Sequence, residues 1–170
     1  PEKKAFAVCL THDIDVVQFP GISTITDPLR FLYHFQIKEA LKRPFYNINK
    51  KWNPRWNFKD IMALEEKYGA KSSFYFMGLE KGDQDFNYKP EELSQEMGYI
   101  LDQGWEVGLH GGHEAFINLD ALKREKNNLE RALGRNVIGY RNHFLRFKVP
   151  DTWELLEQAG FKYDATYGHS

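Results

Sequence analysis

FKDIMALEEKYGAKSSFYFMG, residues 58–78, holds one complete structural unit. Ile61, Leu64, Glu65 and Tyr68 recur at helical spacing, and Gly69 offers the left-handed residue that closes a helix. The aromatic-rich run 70–78 that follows, ending in Gly78, has the composition of a strand. The same unit repeats downstream. In 90–104, PEELSQEMGYILDQG, Pro90 and two Glu open a helix, Leu93, Met97, Ile100 and Leu101 form its apolar stripe, and Gly104 ends it before the short strand WEVGLH. In 118–134, Asn118 is the predicted N-cap, Leu122, Leu129 and Leu133 share a face, and Gly134 stops the helix before the strand NVIGYR. A last helix, 150–160, ends at Gly160 before FKYDATY, the fifth strand. Upstream, AVCLTHDIDVV (7–17) supplies the first strand, apolar from Ala5 to Leu10. Strands alternating with helices predict right-handed crossovers and a parallel sheet, so the fold class is α/β.

With 170 residues, 42% of them hydrophobic and 15% aromatic, the chain is long and apolar enough to bury one sizeable core, and a single domain over 1–170 is expected. Between the first strand and the repeating units lies an aromatic- and Pro-rich insertion at about 18–57, expected to be an elaborated loop with one short helix around 27–41. Lys and Arg number 23 against 24 Asp and Glu, a net charge of −1, so no global field draws in nucleic acid or an anionic membrane. The single cysteine, Cys9, is expected to pack as a small hydrophobe in the first strand. No run approaches the ~20 apolar residues of a membrane span and PEKK opens no leader-like segment, from which a cytoplasmic location is expected.

In parallel α/β folds ligands bind at the carboxyl ends of the strands. Those ends carry a polar set: His12, Asp13 and Asp15 after strand one; His110 with His113 and Glu114 after strand three; Arg141, Asn142, His143 and Arg146 after strand four; Asp164, Tyr167 and His169 after strand five. Strand two ends blandly in Met77 and Gly78, and His34 in the insertion is the one histidine away from a strand end. Taken singly, each of these has an ordinary reading as a cap, a loop histidine or an ion-pair partner. Gathered at one end of one sheet, they predict a site. Asp13 and Asp15, two apart in an extended chain, point the same way, and two such carboxylates repel unless a cation lies between them. Two imidazoles and a carboxylate with one position open is a catalytic zinc set. One aspartate then binds the ion while its neighbour takes a proton from the water that the ion activates.

LTHDIDV, WEVGLHGGHEAF, GYRNHFLRF and AGFKYDATYG, in that order, resemble the polysaccharide deacetylases, the family of the NodB homology domain that includes carbohydrate esterase family 4. The resemblance covers nearly the whole chain outside the insertion. It implies a partial (β/α) barrel of about five parallel strands with the last strands lacking, and metal-dependent hydrolysis of N-acetyl groups on the amino sugars of a glycan. By motif, Asp13 resembles the general base, Asp15 the metal carboxylate, His110 the first metal histidine and Arg141 the arginine that orients the base. The second metal histidine stands four residues after the first in the family. Here His113 follows at three and Glu114 at four; His113 is the expected ligand, with Glu114 the alternative. His12, His143 and Tyr167 are the expected substrate-binding residues. The family's leaving-group acid lies on later strands, which leaves His12, His143 and His169 as possible substitutes. The implied cofactor is a divalent metal, zinc by its donors, and the implied partner an N-acetylated glycan. Phe45, Tyr46, Trp52 and Trp56 on the insertion could form a sugar-stacking rim or could pack the loop.

Overall fold

The computed structural model describes residues 5–167. In chain order the elements are β1 (Leu10–Ile14), α1 (Ser23–Tyr33), α2 (Ile37–Lys42), α3 (Phe58–Lys67), β2 (Ser72–Met77), α4 (Ser94–Asp102), β3 (Glu106–Gly111), α5 (Leu119–Leu133), β4 (Gly139–Asn142), α6 (Asp151–Gln158) and β5 (Tyr163–Asp164). All five strands are parallel and lie in the order β1-β2-β3-β4-β5. A sheet whose strands follow one another without reversal is an arc of a (β/α) barrel; a doubly wound sheet turns back at a switch point. The four glycines read as helix stops, Gly69, Gly104, Gly134 and Gly160, all have left-handed φ, between 66° and 81°.

Two compact units divide the chain: the sheet, formed by residues up to Asp15 and from Leu64 onward, and the segment Val16–Ala63. Within the latter, α1 and α2 stand where one short helix was expected, and Arg43 is its buried anchor. The Arg43 guanidinium donates to Asp27 at 2.7 Å and lies 4.0 Å over the Phe19 ring. Tyr46 is buried, with its hydroxyl on Glu39, so it packs the insertion and forms no rim.

β1 begins at Leu10, five residues later than the apolar run suggested. Its register pairs Leu10 with Ser72, the first residue of β2, so the chain before Leu10 has no ladder to join. Phe6 and Val8 are accordingly exposed, and Cys9 is exposed as well, which corrects the expectation of a core thiol.

Registered partners in parallel strands point to the same face. One face carries His12, Phe74, Phe76, Val107, Leu109 and Tyr140, and is the apolar core under α4 and α5. The other, inner face carries Thr11, Asp13, Ser73, Tyr75, Glu106, His110, Arg141 and Tyr163 and borders a hollow of about 700 Å³. Side chains meet across it: the Tyr75 hydroxyl on β2 is 3.3 Å from that of Tyr163 on β5. Three strand spacings measure about 14 Å in a flat sheet. Contacts over that gap therefore require a strongly curled sheet.

α5 braces the carboxyl ends of β2 and β3. It approaches so closely that a Cβ on Gly78 would stand 2.0 Å from the Glu125 carbonyl oxygen. Asn128 donates to the Gly78 carbonyl at 3.1 Å. The helix starts where the sequence placed its cap: Asn118 Oδ1 accepts from the backbone N–H groups of Asp120 and Ala121, at 3.0 and 3.1 Å. Asn118→Ala removes both bonds and is expected to lower unfolding stability by ~1 kcal/mol. Urea denaturation checks this, and a loss under a few tenths would show that α5 is held by packing alone.

Candidate metal centre

β1 ends with Asp15 just beyond it, held by Tyr88, which is buried. The Tyr88 hydroxyl donates to the Ile14 carbonyl at 2.5 Å and accepts from the Met77 N–H at 2.9 Å, tying the tips of β1 and β2. His110, on the inner face of β3, is 1% exposed. β4 runs into a single 3-10 turn, His143–Leu145, which carries His143 over the sheet end. Buried Asn142 secures that turn: its N–H donates to Thr166 Oγ1 and its Nδ2 to the His143 carbonyl, both at 2.8 Å.

Three ligand-type atoms converge there. Asp15 Oδ1 is 3.0 Å from His110 Nε2 and 3.5 Å from His143 Nδ1, and the two nitrogens are 3.1 Å apart. Donors around a tetrahedral zinc, each at ~2.0–2.1 Å from it, lie about 3.3 Å from one another. The triangle has that size. Its protons are also constrained. His110 Nδ1 is 3.0 Å from the Arg141 carbonyl, which can only accept, so in the neutral imidazole Nδ1 carries the hydrogen and Nε2 presents a lone pair. Asp15 Oδ1 is buried and has no hydrogen-bond partner among the described residues. A lone pair and an orphaned carboxylate oxygen facing each other at 3.0 Å fit a shared cation. Burial pushes the His143 imidazole below its own ordinary value, favouring the neutral form that ligates.

Asp13 stands beside this group on the same side of β1. Arg141 Nε donates to Asp13 Oδ2 at 3.0 Å and Nη1 to the Ala165 carbonyl at 2.6 Å, so the guanidinium is fixed at both ends.

The remaining expected residues lie elsewhere. His12 points to the opposite face of β1, where its Nε2 is 2.7 Å from Glu65 Oε1. Glu65 also accepts from Trp105 at 2.6 Å and Ser72 at 2.8 Å. Burial would raise its pKa, but these three donors outweigh it and hold the carboxyl below its ordinary value. His113 is outside the triangle, and His143, expected to touch substrate, occupies the third corner instead. The reason is local: Arg146 Nη1 donates to His113 Nδ1 at 3.0 Å, forcing the His113 hydrogen onto Nε2, which faces Asp85. Glu114 joins neither of the two His/Asp groupings found among the described residues. Tyr167 is exposed and its ring lies against Phe147 and Trp153, with centroids 5.5 and 5.9 Å away. His169 lies outside the described residues. Two further residues contribute. Asp85 sits in the loop after β2, within LEKGDQDF, where two aspartates past the strand end were the available signal. Glu125 is the other: its Oε2 accepts the Gly112 N–H at 2.7 Å and so braces the turn two residues beyond His110.

No family model matches the chain, and no curated protein matches it. Among solved structures it is similar to the crystal structure of a "putative polysaccharide deacetylase" from Mycobacterium smegmatis, with TM-score 0.55 and 16% sequence identity over 92% of this chain. The chain spans 49% of that protein's length. The likeness is one of fold, a partial α/β barrel of parallel strands and helices. None of the helices among the described residues is long and apolar enough to cross a membrane.

Burial raises the Glu125 carboxyl from 4.5 to about 7, with the Gly112 N–H pulling the other way. The folded chain therefore holds this proton more tightly than the unfolded one, and wild type loses stability as pH rises between about 4.5 and about 7. Glu125→Gln keeps an acceptor for Gly112 and has no proton to lose. Relative to wild type the variant is expected to gain on the order of 3 kcal/mol between pH 4 and pH 8. Urea midpoints at the two pH values check it; a difference that does not move with pH would contradict the burial argument.

Proposed function

We propose that this chain belongs to a metal-dependent hydrolase that removes N-acetyl groups from the amino sugars of a glycan. The observation that carries this reading is the orphaned Asp15 Oδ1 facing the Nε2 lone pair of His110, with His143 Nδ1 closing the triangle. Asp15, His110 and His143 are the ligands, and two imidazoles with one carboxylate favour zinc over the hard oxygen-seeking cations. An ion held by these three residues would supply Lewis acidity toward the acetamide carbonyl and toward water.

The rest falls to the chain's own groups. Asp13 takes the proton from the attacking water as the O–C bond forms. Arg141, anchored on Ala165, keeps that carboxylate aimed. When the C–N bond breaks, the electron pair stays on the sugar nitrogen, which needs one proton; Asp13 holds it. Acetate and a free amine leave. His113, expected as a ligand, belongs to the outer layer of this centre, and no role in substrate binding is proposed for His12. Tyr167, exposed beside Phe147 and Trp153, remains the proposed sugar-contacting residue.

Three measurements on the full-length protein test this. Wild type is expected to bind about one zinc per chain and to release acetate from N-acetylated oligosaccharides. Asp15→Ala should lose the zinc. Asp13→Asn should keep it and lose about 10²–10⁴-fold in rate. Absence of zinc from the wild type, or full activity in Asp13→Asn, would overturn the proposal. Cleavage of acetyl esters or cyclic amides but not acetamides would move the same centre to a different bond.

A further inference from the structure

His143 has a nitrogen at each end of its ring, and the structure gives each a different neighbour. Nδ1 belongs to the triangle with Asp15 and His110. Nε2 is 3.4 Å from Asp85 Oδ2, on the far side of the ring. The same Asp85 oxygen meets His113 Nε2.

The protons in this outer group follow from what each partner is able to do. Arg146 only donates, and its Nη1 reaches both His113 Nδ1 at 3.0 Å and the His113 carbonyl at 3.2 Å. His113 must therefore carry its hydrogen on Nε2 and give it to Asp85. That excludes Asp85, His113 and His143 as a second ligand set in this state, because Nε2 of His113 has no lone pair to offer. It leaves Asp85 accepting from His113, with His143 Nε2 3.4 Å from the same oxygen.

His143 has two ways to place its one hydrogen. On Nδ1 it would donate to the His110 lone pair at 3.1 Å, and the triangle would be closed to an ion. On Nε2 it faces a carboxylate, and Nδ1 is free to ligate. We propose that Asp85 is a positioning residue that sets the Nε2–H tautomer of His143 and thereby opens the metal centre, with His113 and Arg146 holding Asp85 in place. The inference rests on reading Asp15, His110 and His143 as the ligands.

The loop is built to hold Asp85 there. Asp83 Oδ2 accepts the Glu80 N–H at 2.7 Å, closing the preceding turn. Asp85 itself has a left-handed φ of 61°, a conformation that aspartate tolerates better than most residues. A carboxylate behind a metal-bound histidine raises its basicity and fixes its ring, and its loss typically weakens metal binding about 10–100-fold.

The test compares wild type, Asp85→Ala and Asp85→Asn by two readouts. Long-range ¹H–¹⁵N spectra of the metal-free chain report which ring nitrogen of each histidine is protonated, and competition with a chromophoric chelator reports zinc affinity. Expected are a wild-type His143 protonated on Nε2, a shift toward Nδ1 in Asp85→Ala, zinc binding weakened about 10–100-fold in that variant, and partial recovery in Asp85→Asn, whose amide oxygen still accepts. His110 should stay protonated on Nδ1 throughout, which verifies that the fold is kept. An unchanged His143 tautomer in Asp85→Ala would overturn the inference whatever happens to zinc, as would equal zinc affinity in all three proteins. A wild type that binds no zinc defeats the proposed function instead, while the spectra still decide what Asp85 does.

Discussion

The hydrogen bond from His110 Nδ1 to the Arg141 carbonyl is the interaction on which the site turns. It exists because β3 and β4 are in parallel register with His110 opposite Arg141. A one-residue slip between the two strands would put their side chains on opposite faces. With the register in place, one residue serves two groups: the backbone of Arg141 fixes the His110 tautomer, and its side chain fixes Asp13. The candidate metal triangle and Asp13 are thereby set by the same strand pair.

Curvature converts that register into a site. Asp13 on β1 and Arg141 on β4 are three strands apart, about 14 Å in a flat sheet, yet their side chains meet at 3.0 Å. Tyr75 and Tyr163 span an equal number of strands lower on the same face. The apolar face packs under the helices, and the inner face is left to polar groups that must satisfy one another. Where polar groups do so, as in the Glu65 cluster with His12, Trp105 and Ser72 on the opposite face, the result is structural. Where they do not, as at Asp15 Oδ1, a buried acceptor is left that costs on the order of 1–3 kcal/mol unless something binds it.

The sequence was legible where the signal is local. Four helix stops and the Asn118 cap are single-residue decisions, since left-handed φ and a side-chain acceptor are properties of those residues alone. α1 and α2 were blurred into one segment for the converse reason. α1 has no side-chain cap, carries Pro28 inside it and buries no residue, so neither its ends nor its face stand out. The start of β1 is set by where β2 begins, information that lies some sixty residues away. Asp15 and His110 were readable from strand ends. Spacing in sequence singles out His113 as the third ligand, whereas the third corner of the candidate triangle comes from the segment after the next strand.

The turn after β4 explains why His143 prevails. Phe144 and Leu145 both have left-handed φ, 57° and 53°, an arrangement that costs non-glycine residues roughly 1–2 kcal/mol each. Contacts around the turn offset that cost: the Phe144 ring packs against His143 at 4.0 Å and His113 at 5.4 Å, and Asn142 clamps the His143 carbonyl. Phe144 is nevertheless largely exposed, so burial of its own ring is not what the strain secures. What it does secure is the direction of His143, turned back over the sheet end so that one nitrogen faces Asp15 and the other Asp85. Two consecutive left-handed residues directly after a histidine, in a chain that places its other left-handed turns mostly at glycine, locate the centre by backbone conformation independently of any ligand count.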